Sequence, residues 1–207
     1  MKSKQLKLFT YLAFFIAIEI VLMLTPLGFI PLGVVRATTL HIPVILAGIL
    51  LGPKYGSIVG FVFGLLSLMI NTFQPTLTSF VFSPFVTIGG TSGNFASLIV
   101  VFAPRIFLGF FSGWLYQFLF RFKWKPTFAF ATTALVNSMI HTCLVLGAIA
   151  LFFGQPYAAA KGVALSQLTN LLMIVITTNG IAEMIVAAII VTVLAKALKP
   201  IVERNIK

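Results

Sequence analysis

Six stretches of this chain are mostly apolar, residues 8–26, 36–52, 56–72, 96–120, 128–152 and 170–195. Each is close to the ~20 apolar residues that a helix needs to cross a bilayer. The pattern predicts an all-α integral membrane protein with six transmembrane helices in a single domain over residues 1–207. The opening MKSKQLKLF followed by an apolar run has the look of a signal peptide, but that run continues to Leu24 without a small-residue cleavage site. It is read as helix 1.

The polar breaks between the runs set the orientation, because Lys and Arg in short loops mark the cytoplasmic side. With the N-terminus inside, Lys2, Lys4, Lys7, Lys54, Arg121, Lys123, Lys125, Lys196, Lys199, Arg204 and Lys207 are cytoplasmic, eleven of the fourteen basic residues. Arg36 and Lys161 fall in outer connections and Arg105 within helix 4, so an N-in, C-in topology is expected. Composition agrees: 60% of residues are hydrophobic and 8% charged, against roughly 25% charged in soluble domains. The net charge of +11 is thereby a topology signal. RFKWK at 121–125 is a short loop and not a nucleic-acid surface, so no nucleic-acid partner is expected.

Gly48, Gly52, Gly56, Gly60 and Gly64 form a four-residue ladder across helices 2 and 3, of the kind that lets membrane helices approach closely. Ala13 and Ala17 put a small face on helix 1, suited to packing inside the chain or to docking another membrane protein. Glu19 projects to a different side and is expected to look inward. Residues 73–95 form a long outer loop between helices 3 and 4. A segment of that length is usually functional or disordered; it is read as an outer gate carrying Gly90, Thr91, Ser92 and Asn94, with a floppy external loop as the alternative.

Polar residues recur at one depth. Arg105 on helix 4, Asn137 and His141 on helix 5, and Asn179 and Glu183 on helix 6 make a layer. Arg105, Asn137 and Asn179 lie roughly 14 Å in from the ends of their runs at ~1.5 Å per residue. Intramembrane polar groups are costly and mark a site when they face the interior. Arg105 either pairs with Glu183 or holds an anionic ligand, since its five donors exceed what one carboxylate accepts. Asn71 and Arg36, nearer the outer surface, complete the substrate-binding candidates, and Glu183 is the ion-pair or supporting residue.

What is missing narrows the chemistry. The chain has no Asp and three Glu, too few for paired-carboxylate catalysis. One cysteine, Cys143, and isolated histidines give no metal site. A phosphate-binding GxxxxGK[ST] loop is absent, so energy must come from elsewhere. Two other classes stay open: an intramembrane serine protease, from GTSG at 90–93 with His141 as base, and a stand-alone carrier without ATPases.

Six helices, AFFIA on helix 1, RATTLHIPVILAGILLGPKYGSIVG, the outer loop and APRIFLG together resemble the substrate-binding S components of energy-coupling factor (ECF) vitamin transporters. Among these the chain is most similar to the pantothenate-type members, with riboflavin, cobalamin and folate as other vitamins the family carries. The resemblance implies a non-enzymatic binding subunit in a prokaryotic plasma membrane. It also implies a transmembrane scaffold subunit (EcfT) that docks on Ala13 and Ala17, and two ATPases (EcfA, EcfA′). ATP is then used by the partners and no cofactor is held by this chain. Vitamin is carried inward by tilting in the bilayer, and the site lies toward the outer side between helices 4 to 6.

Overall fold

The computed structural model describes the backbone of residues 2–32 and 35–206 and the side chains of residues 4–28 and 38–206. It is nearly all helical. Helix α1 (Lys2–Leu24) buries Leu12, Phe15, Glu19 and Met23 along one stripe and turns Phe9, Phe14 and Val21 outward. A short hairpin follows, β1 (Phe29–Leu32) antiparallel to β2 (Val35–Thr38), with Phe29 opposite Thr38 and Leu32 opposite Val35.

That hairpin corrects the second expected span. Helix α2 (His41–Leu51) starts five residues later than the apolar run and has 11 residues, about 16 Å at the α-helical rise and half of a bilayer core. Because α2 is buried on nearly all sides, its sequence is apolar throughout without facing lipid. Among the described residues, five helices are long and apolar enough to cross a membrane: α1, α3 (Pro53–Phe73), α4 (Phe95–Arg121), α5 (Pro126–Ala160) and one continuous helix over Leu165–Ile206. The last contains α6 (Leu168–Val175), a π-helical turn at Ile176–Gly180 and α7 (Ile181–Ile206).

The glycine ladder is the seam of the bundle. A Cβ added to Gly48 would fall 2.8 Å from the Gly109 carbonyl oxygen and 2.9 Å from the Gly113 nitrogen, so α2 and α4 meet backbone to backbone. Gly56 meets Gly109 in the same way, and Gly60 lies against the carbonyl of Arg105, bringing α3 onto α4. Gly52 instead links α2 to α3 with φ of +97°, a conformation open to glycine, and Pro53 then starts α3. Opposite this face, α4 carries Phe107, Phe111, Trp114 and Phe118 stacked in a row at centroid distances of 5.2 to 5.4 Å, with Phe122, just past the helix, tilted against Phe118. Small residues inward and aromatics outward give α4 its orientation.

Residues 73–95 are an ordered cap. Ser79–Val81 form a 3₁₀ turn with Phe80 and Val81 buried, and β3 (Thr87–Ile88) pairs with β4 (Thr91–Ser92). The Ser79 hydroxyl donates to Asn71 Oδ1 at 2.8 Å, Thr72 and Ser83 share a hydroxyl bond of 2.7 Å, and Phe80 meets Phe153 edge-on. Asn94 caps α4 through a reciprocal box with Ser97. At Phe153 the backbone leaves helical geometry (φ −133°, ψ 19°) three residues before Pro156, and the bent end of α5 lies over this cap.

Candidate functional site

A cavity of about 380 Å³ opens between the end of the hairpin, the cap, the C-terminal half of α3, the middle of α4 and α5, and the helix running from the end of α6 through the π turn into α7. Arg105, His141, Asn179, Glu183 and Asn71 line it, together with Thr38, Phe63 and Phe82. The structure therefore brings five of the expected site residues to one cavity. It also adds Met23 of α1 and Phe63 of α3 to the expected lining.

Arg105 owes its position to its neighbour. Proline has no N–H, so Pro104 leaves the carbonyl of Val100 without its helical donor. The Arg105 Nη1 donates to that carbonyl at 2.8 Å. Its guanidinium carbon lies 5.3 Å from the Phe63 ring centre and 5.5 Å from that of Phe82, within cation–π range. The side chain is 6% exposed, and its Nε has no protein partner. A planar fork held on three sides still has donors to give a ligand.

Glu183 is held elsewhere. Its Oε1 accepts the backbone N–H of Thr38 at 3.0 Å, fastening the end of β2 to α7, and no ion pair with Arg105 forms. The ion-pair alternative is thus not the arrangement seen. Asn179 stands in the π turn, a distortion common at functional sites, and its Oδ1 accepts from Thr178 at 3.2 Å. Asn71 lines the cavity while its amide is occupied by Ser67 and Ser79.

His141 meets Phe63 and a residue absent from the expected set, His41, whose ring stacks on it at 6.3 Å and 15°. His41 Nε2 lies 3.2 Å from the Ser138 hydroxyl. Its signal in the sequence was only that it is the chain's other histidine. Asn137 lies one turn away from His141, behind the wall: it is buried, donates to the Thr133 carbonyl at 2.8 Å and does not border the cavity.

The remaining expected residues fall outside the cavity. Gly90, Thr91, Ser92 and Asn94 build the β3–β4 turn and the α4 cap and do not border it; Phe82 is what their segment contributes. The side chain of Arg36 lies outside the described residues. Ala13 and Ala17 are exposed on α1. The Ser92 hydroxyl bonds Thr87 at 2.9 Å, and His141 packs on Phe63 and His41, so GTSG and His141 do not assemble a nucleophile–base pair.

The sequence of residues 7–195 matches the family model described as "ECF transporter, substrate-specific component". The chain is 36% identical over 201 residues to the "Pantothenic acid transporter PanT" of Lactococcus lactis subsp. cremoris, covering 96% of both proteins. It is 29% identical over 218 residues to the "Pantothenate transporter PanT" of Leuconostoc mesenteroides subsp. mesenteroides, covering 99% of this chain and 98% of the relative. A multi-pass helical protein whose mainly apolar cavity carries Arg105 and Glu183, matched over most of its length, belongs to the substrate-specific component family of ECF transporters.

Proposed function

We propose that this chain binds pantothenate at the Arg105 cavity from the outer side of a prokaryotic plasma membrane. It then delivers the vitamin inward by tilting in the bilayer with a scaffold subunit and two ATPases. The observation that carries the reading is Arg105 itself: a guanidinium pinned by Val100, Phe63 and Phe82 in a cavity of about 380 Å³. Pantothenate is a flexible hydroxylated amide ending in a carboxylate. The carboxylate suits the guanidinium fork, and the amide and hydroxyls suit Asn179, His141 and Glu183. The names of the two relatives point to the same ligand. Residues 73–95 cover the outer side of the cavity, and Ala13 and Ala17 offer the scaffold a face on which backbones can approach.

The test is native mass spectrometry of gently purified protein offered pantothenate, riboflavin, folate and cobalamin together. A single bound pantothenate is expected. Capture of another of these vitamins in its place overturns the assignment.

A further inference from the structure

The cavity carries a guanidinium and a carboxyl group on two different walls. Arg105 belongs to the wall made by α3, α4 and the cap, and Glu183 to the wall made by α7 and the end of β2. Each has its own protein partner, and they do not touch. A carboxylate presents about four acceptor positions; Thr38 fills one of those of Glu183. Whatever meets the rest must donate hydrogen bonds and must not be negative, because like charges brought together in a dry site repel strongly. Among the described residues of the wall, Arg105 is the one Lys or Arg.

We propose that Glu183 is a specificity-determining residue that reads the donor end of the ligand and restricts the ligand to one negative charge. Arg105 takes the carboxylate; Glu183 takes an uncharged hydroxyl or amide end. The site therefore admits the free alcohol and disfavours its phosphate ester, whose added charge would face Glu183 while Arg105, the one Lys or Arg among the described residues of the wall, holds the carboxylate. This inference rests on the vitamin-binding reading above.

Calorimetry on the purified full chain tests it with three probes: pantothenate, 4′-phosphopantothenate and the 4′-O-methyl ether, which adds bulk without charge. The phosphate ester is expected to bind at least ~100-fold more weakly than the free alcohol, and the ether by about tenfold or less. Glu183→Gln keeps an acceptor for Thr38 and removes the charge. It should relieve the phosphate penalty by about tenfold or more and leave that of the ether unchanged. Glu183→Asp, which keeps the charge, should retain the discrimination. An identical ratio of phosphate ester to alcohol in wild type and Glu183→Gln overturns the proposal. So does a wild type that binds both alike, a result that decides the matter even where the variants do not fold. Failure of wild type to bind pantothenate at all removes the vitamin reading and this inference with it, and is distinguishable from both.

Discussion

Pro104 cannot donate to the carbonyl of Val100, and the Arg105 guanidinium takes that place at 2.8 Å. The proline therefore anchors the arginine as well as interrupting the helix. Pro104→Ala restores an N–H that competes for the same carbonyl. Pantothenate affinity is then expected to fall roughly fivefold, the worth of about 1 kcal/mol, while the thermal midpoint holds or rises because a helix-interior proline is gone. Calorimetry and a thermal melt on the same preparation check both halves; a fall in stability together with unchanged affinity contradicts the anchoring role. Arg105 was legible in the sequence because a charge inside an apolar run has few ordinary reasons to be there. Its partner was also written there, in the AP before it, but a backbone carbonyl freed by proline leaves no side-chain signal. Asn137 shows the limit of counting depth. Distance along a helix axis sets its level in the bilayer but not whether the cavity reaches that turn, and here the cavity stops at His141.

The elements differ from the expected runs where apolar residues serve burial instead of lipid. RATTLHIPVILAGILL reads as one span, yet Val35–Thr38 is a strand and only His41–Leu51 is helix. A fully buried short helix and a lipid-facing one have the same hydropathy, so pattern alone cannot separate them. The segment over residues 73–95 was legible as a long connection and illegible in form, because Phe80 packs on Phe153, far away in the chain. Glycine spacing did carry over into structure: the α2–α3–α4 seam uses Gly48, Gly56 and Gly60 as the ladder implied. Gly60 also backs directly onto the Arg105 carbonyl. Gly60→Val is expected to separate α3 from α4 there and destabilise the protein by about 1–3 kcal/mol, with ligand binding weakened because Phe63 moves off the guanidinium. A lowered thermal midpoint in detergent checks this; an unchanged one means that the seam is looser than the geometry indicates.

The Arg105 cavity lies beside the end of the hairpin, whereas the small-residue face on α1, with Ala13 and Ala17 exposed, lies on the outside of the bundle. Under the proposed function, binding and partner docking use separate surfaces. Ala13→Trp with Ala17→Trp is expected to abolish pantothenate uptake by reconstituted vesicles containing the partner subunits. Calorimetric affinity of the isolated chain should be untouched. Uptake that survives both tryptophans places the docking face elsewhere. The central claim is that Arg105 serves the ligand and not Glu183, and the double variant Arg105→Met with Glu183→Met tests it most directly. Removing two ligand-binding groups that act independently makes the losses add. Each charged hydrogen bond contributes about 1.5–3 kcal/mol, so calorimetry should show pantothenate affinity well below that of either single variant. Near-native affinity in the double variant, with both charges gone together, would contradict the account.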